Sequence, residues 1–167
     1  MFLALAIALA LQTTLAGLTL SAGMAVNLVL VAVVYIALVH GPLTGLLAGC
    51  AGGLIQDALA GAVVGVGGMA KTVIGFGVGV LGAQFIVAQP VPRFVMFAGA
   101  TIVHEFCYQA VYALVQSCPV HVQYSAMLTQ AVVNALVGLL AFAVAESVPG
   151  LVQRRESRKG SFTTRRF

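Results

Sequence analysis

The sequence predicts an all-α integral membrane protein built as a six-helix bundle. Of its 167 residues, 61% are hydrophobic and 7% are charged, whereas a soluble domain carries about 25% charged residues. The mean hydropathy is +1.09, and the apolar stretches are long enough to cross a bilayer, which takes about 20 helical residues. Because these stretches lack the alternating pattern of a membrane β-barrel, we expect helices.

Six spans are expected in one transmembrane domain, residues 1–150, which no linker interrupts. Their approximate bounds are 2–20, 24–40, 43–62, 66–89, 93–116 and 123–148. Prolines and glycines mark the short turns between the spans. The first stretch is also compatible with a signal peptide, because small residues follow its apolar core, but it lacks a basic start. We expect it to be retained; its removal would leave five spans.

A basic tail, residues 151–167, follows the last span and holds six of the eight lysines and arginines. Positive residues stay in the cytoplasm, so six spans predict that both termini are cytoplasmic. The turn next to Arg93 falls on the same side. The tail is polar and is expected to be disordered in isolation. It serves either as a topology anchor, which we favour, or as a site that binds anionic lipid headgroups.

Two rows of glycine run through the third and fourth spans at steps of four residues. The rows are Gly41, Gly45, Gly49, Gly53, Asp57 and Gly61, and then Gly67, Lys71, Gly75 and Gly79. Glycine rows let membrane helices approach closely. A hairpin centred near Val64 pairs Gly49 with Gly79 and Gly53 with Gly75. We therefore expect a helix-packing or partner interface formed by Gly45, Gly49, Gly53, Gly75 and Gly79.

The same hairpin symmetry places Asp57 level with Lys71. A charge at the centre of a spanning helix costs about 2.5–3.5 kcal/mol on insertion scales, and opposite charges at one depth neutralise each other. We interpret the two residues as a structural ion pair that fixes the helix register. One alternative is that each side chain reaches separately toward the outside water. Another is that the pair forms a proton or ion relay.

A second symmetry, centred between Pro119 and Val120, relates the last two spans. It pairs Glu105 with Asn134, Gln109 with Gln130, and Gln116 with Gln123. We interpret these pairs as a polar seam of hydrogen bonds; the alternative is a ligand pocket near His104, Glu105 and Tyr108. The histidines and cysteines do not cluster along the chain, so we expect no metal, no cofactor and no catalytic site. No nucleic-acid partner is expected either.

The middle of the chain follows a distinctive order of motifs. An apolar helix with a tyrosine is followed by Gly-Pro, by a glycine-rich span that closes with Gly-Leu-x-x-Asp, and by a second glycine-rich span with a lysine near its start. These positions are Tyr35, Gly41, Pro42, Gly49, Gly53, Leu54, Asp57, Gly65, Lys71 and Gly75. Over residues 26–85 the chain resembles the rod shape-determining protein MreD family. It departs from that family at residues 25–27, Ala-Val-Asn, where a Pro-Asp pair is frequent.

The resemblance implies a protein of the bacterial inner membrane that belongs to the cell-elongation machinery. It also implies a fold similar to the six-helix substrate-binding subunits of energy-coupling-factor vitamin transporters. The implied partner is MreC, a single-span protein bound through its transmembrane helix and juxtamembrane region. Through MreC, the chain would support the wall-synthesising glycosyltransferase–transpeptidase pair and the filament MreB. We therefore expect a non-enzymatic scaffold for peptidoglycan synthesis and cell shape.

The alternative function is a substrate-binding membrane subunit of a small-molecule transporter of the vitamin type. This hypothesis predicts a pocket that opens to the outside and is lined near Glu105, Tyr108 and Asn134.

Overall fold

The computed structural model of the chain describes residues 2–19, 26–61, 63–85, 89–116 and 124–160. These residues form α1 (Phe2–Thr19), α2 (Leu28–His40), α3 (Pro42–Ala60), α4 (Val66–Gln84), α5 (Pro90–Gln116) and α6 (Tyr124–Gly160). The predicted all-α architecture is therefore confirmed. Four of the helices, α3 to α6, are long and apolar enough to cross a membrane, which indicates a multi-pass membrane protein.

The ends of α2 are set by local chemistry. Asn27 caps its start, because its side-chain oxygen accepts a hydrogen bond of 3.0 Å from the backbone N–H of Leu30. This cap begins α2 at Leu28, later than the predicted start of the second span. At the other end, Gly41 has a φ of +90°, a backbone conformation that favours glycine, and Pro42 opens α3. The two helices are therefore joined by a single residue.

The short helix α2 lies at the centre of the bundle. One side of it packs Val29, Val33 and Ile36 against α1 and α3, and another side packs Leu30 and Val34 against α4, α5 and α6. A helix that is apolar all round is buried in this way. Its neighbours therefore form a ring around it, and the most extensive helix–helix contact in that ring is between α3 and α4.

The helix α6 continues beyond the predicted end of the last span. The membrane-spanning part ends near Ser147, but the helix runs on to Gly160. The first part of the tail, predicted to be disordered in isolation, is thus helical in the protein. Leucine, glutamine, arginine, glutamate and lysine all have good helix propensity, and the span supplies a formed helix from which the segment continues without a new nucleus.

Candidate functional site

The glycine rows bring the backbones of α3 and α4 into direct contact. A Cβ atom at Gly45 would overlap the carbonyl oxygen of Gly75, and one at Gly49 would overlap the backbone of Lys71. At the far end of α4, a Cβ at Gly79 would overlap the Cα of Pro42. Only glycine permits this approach, so the row acts in helix packing, as its spacing predicts.

The predicted pairing within these rows is wrong by about two helical turns. Gly49 faces Lys71 instead of Gly79, and Gly45 instead of Gly53 faces Gly75. The prediction assumed that α3 and α4 end at the same level on the two sides of Val64. In the structure the start of α4 lies beside Gly53, so the last turns of α3 extend beyond the first residue of α4. Each glycine of α3 therefore contacts a residue of α4 that lies about eight positions before the predicted one.

Of the two roles expected for the glycine rows, helix packing or a partner interface, the structure shows helix packing within this chain. The five candidates, Gly45, Gly49, Gly53, Gly75 and Gly79, are all buried between the helices of this chain. Their surface is already occupied by the neighbouring backbone. A partner helix cannot reach them unless α3 separates from α4.

Asp57 caps the start of α4 from the last turn of α3. Its Oδ2 accepts hydrogen bonds from the backbone N–H groups of Gly65, at 2.9 Å, Gly67, at 2.9 Å, and Gly68, at 3.2 Å. The first amides of a helix have no partner within the helix, and the helix dipole favours a negative charge there. The position of Gly67 cannot carry a Cβ, because the Asp57 carboxylate occupies that space. The carboxylate is therefore satisfied by backbone.

Lys71 does not form the predicted ion pair with Asp57. Both side chains are buried, with exposed fractions of 2% for Lys71 and 5% for Asp57. However, no contact within 4.0 Å joins the Lys71 ammonium and the Asp57 carboxylate. Among the described residues, the salt bridge within that distance is the one between Arg93 and Glu146. The prediction fails because Asp57 lies level with the amides at the start of α4, a turn before Lys71.

The polar seam between α5 and α6 exists, but through different residues. Asn134 is fully buried, and its Nδ2 donates to Oγ1 of Thr101 at 3.3 Å. Its Oδ1 accepts from the backbone N–H of Asn27 at 3.1 Å. The predicted partner, Glu105, is one turn further along α5 and instead accepts a 3.0 Å hydrogen bond from Gln109 on its own helix.

The predicted pair of Gln109 and Gln130 is not joined by a hydrogen bond. Gln130 is half-buried on α6, but the described residues contain no hydrogen bond between it and Gln109, whose Oε1 has no partner. The pair of Gln116 and Gln123 lies outside the side chains that the structure describes. Asn134 is thus the member of the seam that ties three helices, α2, α5 and α6, together.

His104 is a buried imidazole without hydrogen-bond partners. Its exposed fraction is 3%, and neither ring nitrogen has a partner among the described residues. It stacks on Tyr108, with ring centroids 6.1 Å apart, and Tyr108 stacks on Tyr112 at 6.2 Å. The four-residue spacing of these rings was visible in the sequence, but the missing hydrogen bonds were not.

A second charged cluster at the opposite end of the bundle was not predicted. Arg93, at the start of α5, forms a 2.6 Å salt bridge with Glu146 of α6. Its guanidinium lies 4.4 Å from the ring centroid of Phe142, and that ring packs against Tyr35 of α2 at 4.6 Å. The cluster places the start of α5 and the end of the α6 span at the same end of the bundle, in agreement with the predicted side of the turn at Arg93.

Apolar grooves lie on the outside of the described part of the bundle, and two of them are large. The α4–α5 groove, of about 390 Å³, is lined by Val73, Gly77, Leu81, Val95, Gly99 and Val103, among others. The second groove, of about 590 Å³, lies between α1, α2 and α6 and is lined by Ile7, Leu11, Ala32, Val137, Leu140 and Val144, among others.

The glycines of the α4–α5 groove differ from those between α3 and α4. A Cβ at Gly77 or Gly99 meets no heavy atom within 4 Å. The two glycines lie on neighbouring helices and both line the groove, so no side chain fills the space next to them there.

No protein-family model, no curated protein and no solved structure matches this chain.

Within the part of the chain that the structure describes, no group of three or more histidine, cysteine, aspartate or glutamate side chains is placed to hold a metal ion. Cys50 and Cys107 are free thiols there. The arrangement therefore provides a closely packed platform, a set of buried polar contacts and external grooves.

Proposed function

We propose that this chain is a non-enzymatic scaffold of the MreD type in the bacterial inner membrane. It holds the transmembrane helix of MreC, and through MreC it supports the wall-synthesising glycosyltransferase–transpeptidase pair, MreB and cell shape. The observation that carries the proposal is the α4–α5 groove with its two open glycines. The motif resemblance over residues 26–85 supplies the family and the partner.

The α4–α5 groove suits a helix better than it suits a soluble ligand. Its rim is made of half-exposed or exposed aliphatic side chains, including Val73 at 60% and Val95 at 61%. Side chains of this kind gain little from excluding water inside a bilayer, so association there depends on close packing of helix backbones. Gly77 and Gly99 permit that packing, because no heavy atom of the described residues lies within 4 Å of a Cβ placed at either position.

The rest of the bundle keeps the groove in place. The α4 wall is fixed by its backbone contact with α3, and the α5 wall is fixed by the hydrogen bond from Asn134 to Thr101. A docked helix would therefore meet a preformed surface and lose little free energy in ordering it. A fold similar to the substrate-binding subunits of energy-coupling-factor transporters is part of the same proposal.

Gly99→Leu is expected to block the groove without unfolding the protein. A Cβ at Gly99 meets no described heavy atom within 4 Å, so a leucine fits there and the melting temperature should stay close to that of the parent chain. Capture of a peptide that contains the MreC transmembrane helix should weaken by about tenfold, or 1.4 kcal/mol. The measurement is energy transfer between labelled chain and labelled peptide in vesicles.

Ala143→Leu is the matched control for this experiment, because Ala143 is an exposed residue of α6 that lines neither groove. It should leave capture of the MreC peptide unchanged. Equal capture by the Gly99→Leu variant and the parent chain would show that the α4–α5 groove is not the docking site, and Val137→Phe would then test the groove between α1, α2 and α6.

A second candidate function is that of a substrate-binding subunit of a small-molecule transporter. The observation that favours it is His104, a buried imidazole whose two nitrogens lack hydrogen-bond partners among the described residues. A small polar ligand would supply such partners. This hypothesis expects His104→Phe to abolish binding of a vitamin panel, measured by calorimetry, and to leave capture of the MreC helix intact. The side chain of Asn134 is held by hydrogen bonds to Asn27 and Thr101, so this hypothesis assigns the contact with the ligand to His104.

A further inference from the structure

The central helix α2 starts at about half the depth of the membrane. It has 13 residues and is therefore about 20 Å long, whereas the hydrocarbon core of a bilayer is about 30 Å thick. The backbone N–H of Asn27, just before α2, donates to Oδ1 of Asn134, which lies near the middle of the spanning part of α6, Tyr124–Ser147. The described α2 therefore does not extend into the other half of the bundle, toward the α3–α4 turn, which we call the outer half.

Side chains from two neighbouring helices hold the start of α2. The Gln12 side chain on α1 donates at 2.9 Å to the carbonyl of Val26 and accepts at 2.7 Å from the N–H of Leu28. Asn134 of α6 accepts from the N–H of Asn27. Non-helical backbone at membrane depth is tolerated where it is buried in protein or lines a water-filled cavity. The backbone at this point is largely occupied, so recognition of a ligand in the outer half falls to the side chains around it.

Lys71 is on the side of α4 that faces the bundle centre. A Cβ at Gly75 would lie 3.1 Å from the Val33 side chain of α2, and Lys71 is on the same side of α4, one turn nearer the outer end. Side chains lean toward the start of their helix, which directs Lys71 further outward. Its exposed fraction is 2%, and its ammonium forms no salt bridge with a described residue. A buried charge of this kind requires an anionic partner.

His104 and Glu105 reach the same region from α5. Thr101 contacts Asn134 and so marks the side of α5 that faces the centre; His104 and Glu105 follow it by three and four residues. Both nitrogens of His104 lack hydrogen-bond partners in the described structure. The Glu105 carboxylate accepts a hydrogen bond from Gln109, whose own Oε1 has no partner there. This part of α5 therefore has unused capacity both to donate and to accept hydrogen bonds.

The outer half contains opposite charges that are not paired with each other. The Asp57 carboxylate is satisfied by amides at the start of α4. Val73 and Val103 form the outer end of the α4–α5 groove. Lys71 is two residues before the first of them and Glu105 two residues after the second, so on antiparallel neighbours these two side chains are level. No salt bridge within 4.0 Å joins them, so a ligand that neutralises both must carry one charge of each sign.

A row of aromatic rings leads from the surface of α5 to this region. The ring of Tyr112, which is 40% exposed, stacks on that of Tyr108 with centroids 6.2 Å apart. Tyr108 is half-buried and stacks on the buried imidazole of His104 at 6.1 Å. Ring faces of this kind bind another planar ring by offset or edge-to-face packing.

We propose that the outer half of the bundle centre binds a small zwitterion, an aromatic α-amino acid. Its carboxylate pairs with Lys71, its ammonium pairs with Glu105, and its ring packs against His104 and Tyr108. The inference rests on the second candidate function and names the substrate class of that site. A zwitterion has no net charge, so it neutralises both side chains without leaving an unpaired charge inside the membrane.

The test measures binding of tritium-labelled phenylalanine to the full chain in nanodiscs, with phenethylamine and hydrocinnamate as competitors. The competitors keep the ring but lack the carboxylate and the ammonium, respectively. The parent chain should bind phenylalanine at least about tenfold more tightly than either, because each lost charge removes a charge-assisted hydrogen bond. Lys71→Gln should abolish the preference over phenethylamine, and Glu105→Gln should abolish the preference over hydrocinnamate.

His40→Phe is the matched control for His104→Phe, because His40 is an exposed histidine at the other end of α2. His104→Phe should weaken phenylalanine binding at least about tenfold, whereas the control should leave it unchanged. The comparison of the three compounds in the parent chain requires no variant, so it decides the proposal even where a variant fails to fold.

Equal binding of phenylalanine and either competitor by the parent chain would overturn the proposal, since the site would then recognise a single charge. Absence of phenylalanine binding would overturn it as well. If a member of the vitamin panel binds in a manner that depends on His104 and phenylalanine does not bind, the second candidate function stands and the amino-acid class is wrong.

Discussion

Gly75→Ala is expected to lower the free energy of unfolding by about 1–3 kcal/mol, the usual cost of overpacking a close contact. The added methyl group would overlap the carbonyl oxygen of Gly45. Both are backbone positions of packed helices, so the overlap can be relieved only by moving α3 away from α4. We expect a lower melting temperature in detergent, measured by the loss of helical circular dichroism, and a loss of MreC capture as a consequence of the disrupted fold.

Gly77→Ala makes the same change two residues along the same helix and is the control. A Cβ at Gly77 meets no atom within 4 Å, and alanine is favoured over glycine in a helix by up to about 1 kcal/mol. This variant should be as stable as the parent chain or slightly more stable. If both variants melt at the same temperature, α3 and α4 do not approach each other at Gly45 and Gly75.

Asp57→Ala is expected to destabilise the protein by about 3 kcal/mol or more. A hydrogen bond to a charged group contributes about 1.5–3 kcal/mol, and a buried donor left without a partner is costly. The substitution removes the acceptor of three amides, those of Gly65, Gly67 and Gly68. Asp57→Asn keeps a side-chain oxygen and should lose less stability. Denaturation of the chain in mixed micelles, followed by circular dichroism, measures both effects.

Lys71→Met distinguishes the helix cap from an ion pair. If Asp57 and Lys71 stabilised the hairpin as an ion pair, removing either charge would cost a similar free energy of unfolding. The cap predicts an asymmetry: Asp57→Ala is severe, whereas Lys71→Met, which keeps a long apolar side chain at a buried position, costs less than half as much. If Lys71→Met lowers the free energy of unfolding by as much as Asp57→Ala does, the two residues stabilise the hairpin as an ion pair and the helix-cap interpretation is wrong.

Four of the six expected spans, those that correspond to α3–α6, were predictable because the bilayer imposes a simple rule on sequence. A helix must be apolar for about 20 residues, and α3 to α6 meet this rule over almost the residues expected. Short-range chemistry refined the ends: the cap at Asn27 begins α2, and good helix formers extend α6 to Gly160. These effects act over a few residues, so they are present in the sequence itself, although the cap and the extension were missed.

The helix registers were not predictable, and the reason lies in the periodicity of the rows. A glycine row with a spacing of four looks the same after a slip of four or eight residues, so the pairs Gly49–Gly79 and Gly49–Lys71 fit the pattern equally well. The polar row of α5 has the same ambiguity, and Asn134 selects Thr101 instead of Glu105. A pattern that repeats every helical turn fits several registers equally well, so it does not predict which register forms.

The sequence by itself determined that this chain is a helical membrane protein whose third and fourth spans pack through glycine, because hydropathy and residue size act locally along the chain. Only the tertiary structure decided which backbone faces which. In the structure the Asp57 carboxylate accepts hydrogen bonds from backbone amides at the start of α4, and Gly77 and Gly99 face open space. Each of these outcomes depends on where a second helix starts and how far it overlaps the first, and that offset is set by the packing of the whole bundle.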